Sequence, residues 1–272
     1  MSAPVSAPVS ARLVAKGLGL RRGGRQVLDR VDAAFAGGAL VAVIGPNGAG
    51  KSTLLAALAG LVAPDAGEVS LDATPLRAWD RRALARRRAY LPQSPRAEWP
   101  LPVERLVALG LIPHLPPFGP LPPALAGRVG AALAAADLAD RAGQAATTLS
   151  GGELARAMLA RALVGDPAVL IVDEPIAGLD PRHALSAMAR LRRLADDGKL
   201  VVAAVHELTL AARFATHVLA LRDGRVLADG PAAAALTPEL LRRVFDVEAR
   251  VTGAGASANV EFVSPAIPGE AP

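Results

Sequence analysis

Apolar residues gather in short continuous runs, Leu40–Ile44, Val169–Val172 and Leu200–Val205, set apart by segments with helical spacing that open at Lys51 and run through Pro181–Ala195. Runs without polar alternation belong to strands buried on both faces, and helices that join them cover a mainly parallel sheet, so the pattern predicts an α/β core. The pattern changes after Leu91. Up to about Gly165 no strand is expected, while Ala124–Asp137 and Glu153–Leu163 carry helical spacing, which predicts a helical subdomain over about 92–165 inserted in one domain spanning 12–250. The proline-rich stretch Leu111–Pro123 reads as an irregular surface connector or a docking loop. Residues 1–11, built on a repeated Ser-Ala-Pro-Val unit, read as a disordered tail, and 251–272, rich in Gly, Ala, Ser and Pro, as a flexible one.

Composition narrows the function classes. With no cysteine in 272 residues there is no disulfide, thiolate metal site or thiol nucleophile, which fits a reducing interior compartment. The net charge of +5 suits an anionic ligand or a membrane-side location. Aromatics at 3% are too few for a stacking platform, so no nucleic acid partner is expected. Mean hydropathy is +0.34, raised by alanine, yet no run approaches the roughly 18 apolar residues of a spanning helix. His114, His183 and His217 lack acidic neighbours at metal-ligand spacing, and Trp79 and Trp99 are expected to pack.

The sharpest motif is GPNGAGKST, Gly45 to Thr53, which fits G-x-x-x-x-G-K-[ST] between a strand and a helix. Glycines let successive amides surround a phosphate with no Cβ in the way, and the helix N-terminus adds partial positive charge. Gly45, Pro46, Asn47, Gly48, Ala49, Gly50, Lys51, Ser52 and Thr53 therefore form a candidate ATP phosphate site. Lys51 reaches toward the β- and γ-phosphates, and the Ser52 hydroxyl toward Mg²⁺. A second cluster, VLIVDEP, ends a buried strand in two carboxylates facing the ligand crevice of an α/β sheet. Asp173 is the candidate Mg²⁺ ligand and Glu174 the group that orients or activates the attacking water.

These two motifs leave kinases, GTPases and helicases open. A third, LSGGE at Leu149–Glu153, sets Ser150-Gly151-Gly152 at a helix N-terminus as a second anion-binding end. Together with YLPQ ending at Gln93, AGLD at Ala177–Asp180 and His206 after KLVVAAV, the chain resembles the ATP-binding subunits of ABC transporters over nearly all of residues 12–245. The resemblance implies a P-loop NTPase core of the ABC type, with the helical insertion and an antiparallel β region near the N-terminus. It implies two copies, arranged head to tail, with Ser150, Gly151, Gly152 and Glu153 of one completing the ATP site of the other. Gln93 would sense Mg²⁺ and the γ-phosphate, His206 would contact that phosphate, and Asp180 would lie at the dimer seam.

Where family members often carry an aromatic against adenine, this chain has Arg22, whose guanidinium can also stack on a π-face. Glu153 stands where glutamine is frequent, and PIAGLD where PTSGLD is familiar. The stretches Glu98–Leu115 and His206–Pro231 look most like ATPases of importers for iron chelates (ferric siderophores), haem and cobalamin. The resemblance thus implies polytopic permease subunits and a periplasmic or surface solute-binding protein as partners, and a peripheral place on the cytoplasmic face of the inner membrane. The alternatives are a zinc or manganese importer ATPase, a soluble ABC ATPase acting on DNA or ribosomes, and a nucleotide-gated scaffold. Two cassettes or a long coiled-coil insertion would mark the soluble class, and neither is in the sequence; Glu174 and His206 speak against a scaffold.

Overall fold

The structure, a computed structural model, describes residues 11–93, 97–116 and 122–266. A hairpin of β1 (Arg12–Arg22) and β2 (Arg25–Ala36) leads into β3 (Leu40–Ile44) and α1 (Lys51–Leu58). Next come β4 (Ala66–Leu71), β5 (Thr74–Pro75), α2 (Arg81–Arg87) and β6 (Arg88–Leu91). Then α3 (Val103–Ala108), α4 (Pro123–Ala135) and α5 (Gly151–Leu163) follow without a strand between them. The chain returns to the core through β7 (Val169–Asp173), α6 (Pro181–Asp196), β8 (Leu200–Ala204), α7 (Leu208–Phe214), β9 (His217–Arg222) and β10 (Arg225–Pro231). It closes with α8 (Ala232–Ala235), α9 (Pro238–Phe245), β11 (Val247–Thr252) and β12 (Asn259–Pro265).

The central sheet has the order β10-β9-β3-β8-β7-β6, parallel except for β10. All five residues of β3, β7 and β8 are buried, and their side chains divide by parity. Val41, Val43, Val169, Ile171, Leu200 and Val202 enter one core with α1 and the N-terminal hairpin. Leu40, Ala42, Ile44, Leu170, Val172 and Val201 enter the other, under α6, α7 and α9. Each of these Val, Leu and Ile side chains contributes about 1.5–3 kcal/mol by leaving water, which is why the continuous apolar runs become the centre of the sheet. The antiparallel sheet β2-β1-β4-β5 lies beside it.

Local chemistry sets the helix ends. Asp180 accepts from the His183 amide with Pro181 in the first turn of α6, and Thr237 accepts from the Leu240 amide with Pro238 in that of α9. Such caps satisfy amides that a helix cannot bond internally. The helices α3, α4 and α5 enclose a third core around Val107, Leu111, Leu133 and Ala157.

Several expectations need correction. Residues 251–266 are not a loose tail: β11 and β12 pair antiparallel with one register shift at Val263, Ala258 is buried, and Val251 and Val260 pack on the second core. Arg213 Nε donates to the Ala258 carbonyl at 2.7 Å, and Thr209 Oγ1 bridges the Val260 amide and carbonyl at 3.1 and 3.2 Å. Residues 267–272, like 1–10, lie outside the described residues, but Ala11 is buried. Leu109–His114 forms a 3₁₀ helix with Leu111 fully buried, so the start of the proline-rich stretch is regular; 117–121 fall outside the described residues. The α4 helix ends at Ala135, and Asp137 adopts φ 54° beyond it. Trp79 packs as expected, whereas Trp99 is 71% exposed.

Candidate active site

The glycine loop connects β3 to α1, and its close quarters explain its glycines. A Cβ on Gly45 (φ 151°) would sit 2.2 Å from the Leu221 carbonyl, and one on Gly50 (φ 101°) 2.8 Å from that of Val27. Both the torsions and the space exclude a side chain. Gly50 caps α1 without any side-chain acceptor, leaving the first-turn amides open toward an anion. Lys51 is buried, and its Nζ donates to the Gly45 and Pro46 carbonyls at 2.8 and 3.0 Å. Burial pulls its pKa down, while Glu174 and Asp173 act in the opposite direction.

Both carboxylates stand where β7 ends. Asp173 is buried and its Oδ1 has no hydrogen-bond partner among the described residues. Burial raises its pKa, the neighbouring Ser52 hydroxyl opposes that, and Glu174 adds to it. An orphaned buried carboxylate oxygen is costly and invites a cation. No group of three acidic or histidine side chains forms a complete metal cage among the described residues, so a cation here needs ligands from its anionic companion.

Glu174 is the hub. Gln93 Nε2 donates to its Oε2 at 2.6 Å, and His206 Nε2 to its Oε1 at 2.5 Å, so groups from the ends of β6, β7 and β8 converge on one carboxylate. Glu174 itself holds φ 52°, a left-handed torsion that costs a non-glycine residue about 1–3 kcal/mol and is characteristic of functional sites.

The other expected residues lie elsewhere. Ser150 caps α5 in a reciprocal box: its Oγ accepts from the Glu153 amide at 3.3 Å, and its own amide donates to Glu153 Oε2 at 2.9 Å. The Ser150 amide, and its hydroxyl donating to the same oxygen at 2.8 Å, lower the pKa of the Glu153 carboxyl. The N-terminus of α5 thus carries an anion of its own, while Gly151 remains exposed. Asp180 caps α6 and its carboxylate meets His183 Nδ1 at 2.6 Å. Arg22 is exposed at the end of β1, on the hairpin whose Val27 carbonyl walls the glycine loop. His217 pairs with Asp229, away from this cluster. The walls formed by the Val27 and Leu221 carbonyls have no residue signature, and nothing in the sequence points to them.

Comparison with known proteins places the chain in a family. The family model for ABC transporters matches residues 28–177, more than half the chain. The hemin import ATP-binding protein HmuV of Nocardia farcinica is 46% identical over 247 residues, covering 88% of this chain and 85% of its own. The cobalamin import ATP-binding protein BtuD of Halobacterium salinarum is 40% identical, over 86% of this chain and 59% of its own. A dimeric ATP-binding cassette solved in a post-hydrolysis state with ADP and Pi superposes with a TM-score of 0.72 at 28% identity, covering 81% of this chain and 98% of that one. By its glycine loop, its converging carboxylate cluster and these likenesses, the chain belongs to the ABC transporter family, among its ATP-hydrolysing subunits.

Proposed function

We propose that this chain is the ATPase of an importer for haem or a related iron chelate, working as a head-to-tail pair on the cytoplasmic face of the inner membrane beneath polytopic permease subunits. The observation that carries the solute class is the 46% identity to a hemin import ATP-binding protein across 88% of the chain. Cobalamin is the second reading, favoured by the 40% identity to a cobalamin import subunit. Among the described residues no helix is long and apolar enough to cross a membrane, so transport needs a separate permease. A solute-binding protein outside the membrane completes the importer. The dimeric cassette reported above supports the pairing of two copies.

In this reading the loop from Gly45 to Thr53 binds the ATP phosphates through its open amides, and Lys51 exchanges its carbonyl partners for phosphate oxygens. Asp173 and Ser52 hold Mg²⁺, which when bound neutralises charge building on the phosphate oxygens. The orphaned Oδ1 of Asp173 fits that task. Gln93 attends the same cation and the γ-phosphate. Glu174 orients the attacking water and takes its proton, and His206, already on Oε1, steadies that carboxylate and the γ-phosphate. Ser150, Gly151, Gly152 and Glu153 of the second copy close over the nucleotide, Asp180 sits at the seam, and Arg22 faces adenine. ATP favours the closed pair because it contacts both copies, and hydrolysis removes that preference.

The test is a tagged pull-down from detergent-solubilised native membranes with ATP, using E174Q to hold the closed pair, followed by haem uptake in cells lacking the gene. Recovery of a polytopic permease and loss of haem uptake support the proposal. Recovery of soluble partners only would overturn the importer reading.

A further inference from the structure

A cavity of about 380 Å³ runs between the α4–α5 helical layer and α6. Gln93, Asp173 and Glu174 line one part of it, and Arg190, Arg193 and Asp137 another. With a rise of 1.5 Å per residue, Arg190 and Arg193 lie about 10–15 Å along α6 from His183, on the way out from the Asp180 end.

Arg190 is half-buried and has neither a hydrogen bond nor an ion pair among the described residues. Its electrostatic neighbours are Arg193 and Asp137, and neither Asp173 nor Glu174 is among them. Asp137 forms no ion pair with it, and Arg193 beside it is exposed. By contrast Arg156, on the same wall, is tied by its Nε to the Ala136 carbonyl at 2.9 Å. A guanidinium stays charged at any physiological pH, and this one, attracted by Asp137 only from beyond ion-pair distance, keeps its donors open to an anion. The cavity is ample for one tetrahedral oxyanion.

We propose that this cleft binds orthophosphate after hydrolysis and leads it away from the catalytic centre, with Arg190 as the receiving cation. The proposal rests on the reading of Glu174 as the hydrolytic group. Water oxygen bonds to the γ-phosphorus, the bond to the β–γ bridging oxygen breaks, ADP keeps that oxygen and its electron pair, and the water protons pass to Glu174 and to the phosphate. The orthophosphate so formed starts at the end of the cavity lined by Gln93 and Glu174. In the head-to-tail pair proposed above, the second copy would cover the face where Gly151 and the Asp180 turn lie. The route along α6 leads away from that face, and Arg190 offers charge-assisted bonds on it.

The test uses the full-length chain, alone and in the permease complex, with inorganic phosphate as the probe and potassium chloride of matched ionic strength as the control. R190M, which keeps an unbranched stem, is expected to raise the phosphate inhibition constant about tenfold while kcat/KM for ATP stays within about twofold. R190K, which keeps the charge, should stay within about threefold of wild type, and equal melting temperatures verify folding. ATP hydrolysis with unchanged phosphate inhibition in R190M overturns this proposal alone. An absence of hydrolysis in both wild-type preparations overturns the catalytic reading and this proposal with it.

Discussion

His206 Nε2 lies 2.5 Å from Glu174 Oε1, a contact between residues 32 apart in sequence that joins the ends of two adjacent parallel strands. With Gln93 on the other oxygen, each carboxylate oxygen accepts one hydrogen bond and keeps a lone pair free. Glu174 can therefore accept a hydrogen bond from water while both partners stay in place. Substituting glutamine for Glu174 keeps the shape and removes the base. E174Q should retain ATP affinity and lose turnover by a factor of about 10² or more. Nucleotide binding, phosphate release and gel filtration with ATP, which should show an accumulated dimer, check it.

Asp173 sets function against stability. Burial is the first cause of its raised pKa, so the folded state holds the proton more tightly than the unfolded chain does. As pH rises above the model-compound value of 3.8, the unfolded chain ionises first and stability falls through the interval up to the raised folded-state pKa. D173N should be more stable at neutral pH by about 1 kcal/mol, seen as roughly 2–4 °C in melting temperature. The advantage should shrink as the pH falls from the raised folded-state pKa toward 3.8 and be gone below it. The same variant should lose ATP hydrolysis, because the orphaned oxygen it removes is the proposed cation ligand.

Gly45 tests the loop's crowding. In G45A the new Cβ meets the Leu221 carbonyl at 2.2 Å, and the φ of 151° is unfavourable as well. A loss of about 2 kcal/mol or more is expected in urea unfolding, with ATP affinity falling alongside as the loop shifts.

Thr209 ties α7, which follows directly on His206, to the C-terminal hairpin. T209V keeps the shape but leaves the Val260 amide and carbonyl without their shared hydroxyl, at a cost of about 1–3 kcal/mol. Thermal melting measures the cost. Faster hydrogen exchange at the Val260 amide would place the loss in the hairpin, and exchange at the wild-type rate would show that the bond is not what holds it.

Arg22 is the test of adenine contact. R22A should weaken ATP binding by about 0.5–2 kcal/mol if the guanidinium stacks on the base, and an unchanged affinity by calorimetry removes it from the site.

The sequence by itself determined the sheet and where the candidate chemistry sits. Leu40–Ile44 and Val169–Val172 had no polar position to expose, so burial on both faces was the only available outcome, and the residue types in Gly45–Thr53 and Asp173–Glu174 already marked a candidate phosphate loop and a carboxylate pair. The C-terminal hairpin was hidden because Gly253 and Gly255 and the exposed Phe262 and Val263 break the alternation that marks a half-buried strand. Trp99 was misjudged because the size of a side chain says nothing of which way its loop turns. Tertiary structure alone decided that Gln93 and His206 meet on one carboxylate, that the Val27 and Leu221 carbonyls wall the glycine loop, and that Arg190 makes no hydrogen bond or ion pair among the described residues. These are relationships between distant segments, fixed by strand order and by packing. A sequence pattern records the period of each segment, and not what folding sets beside it.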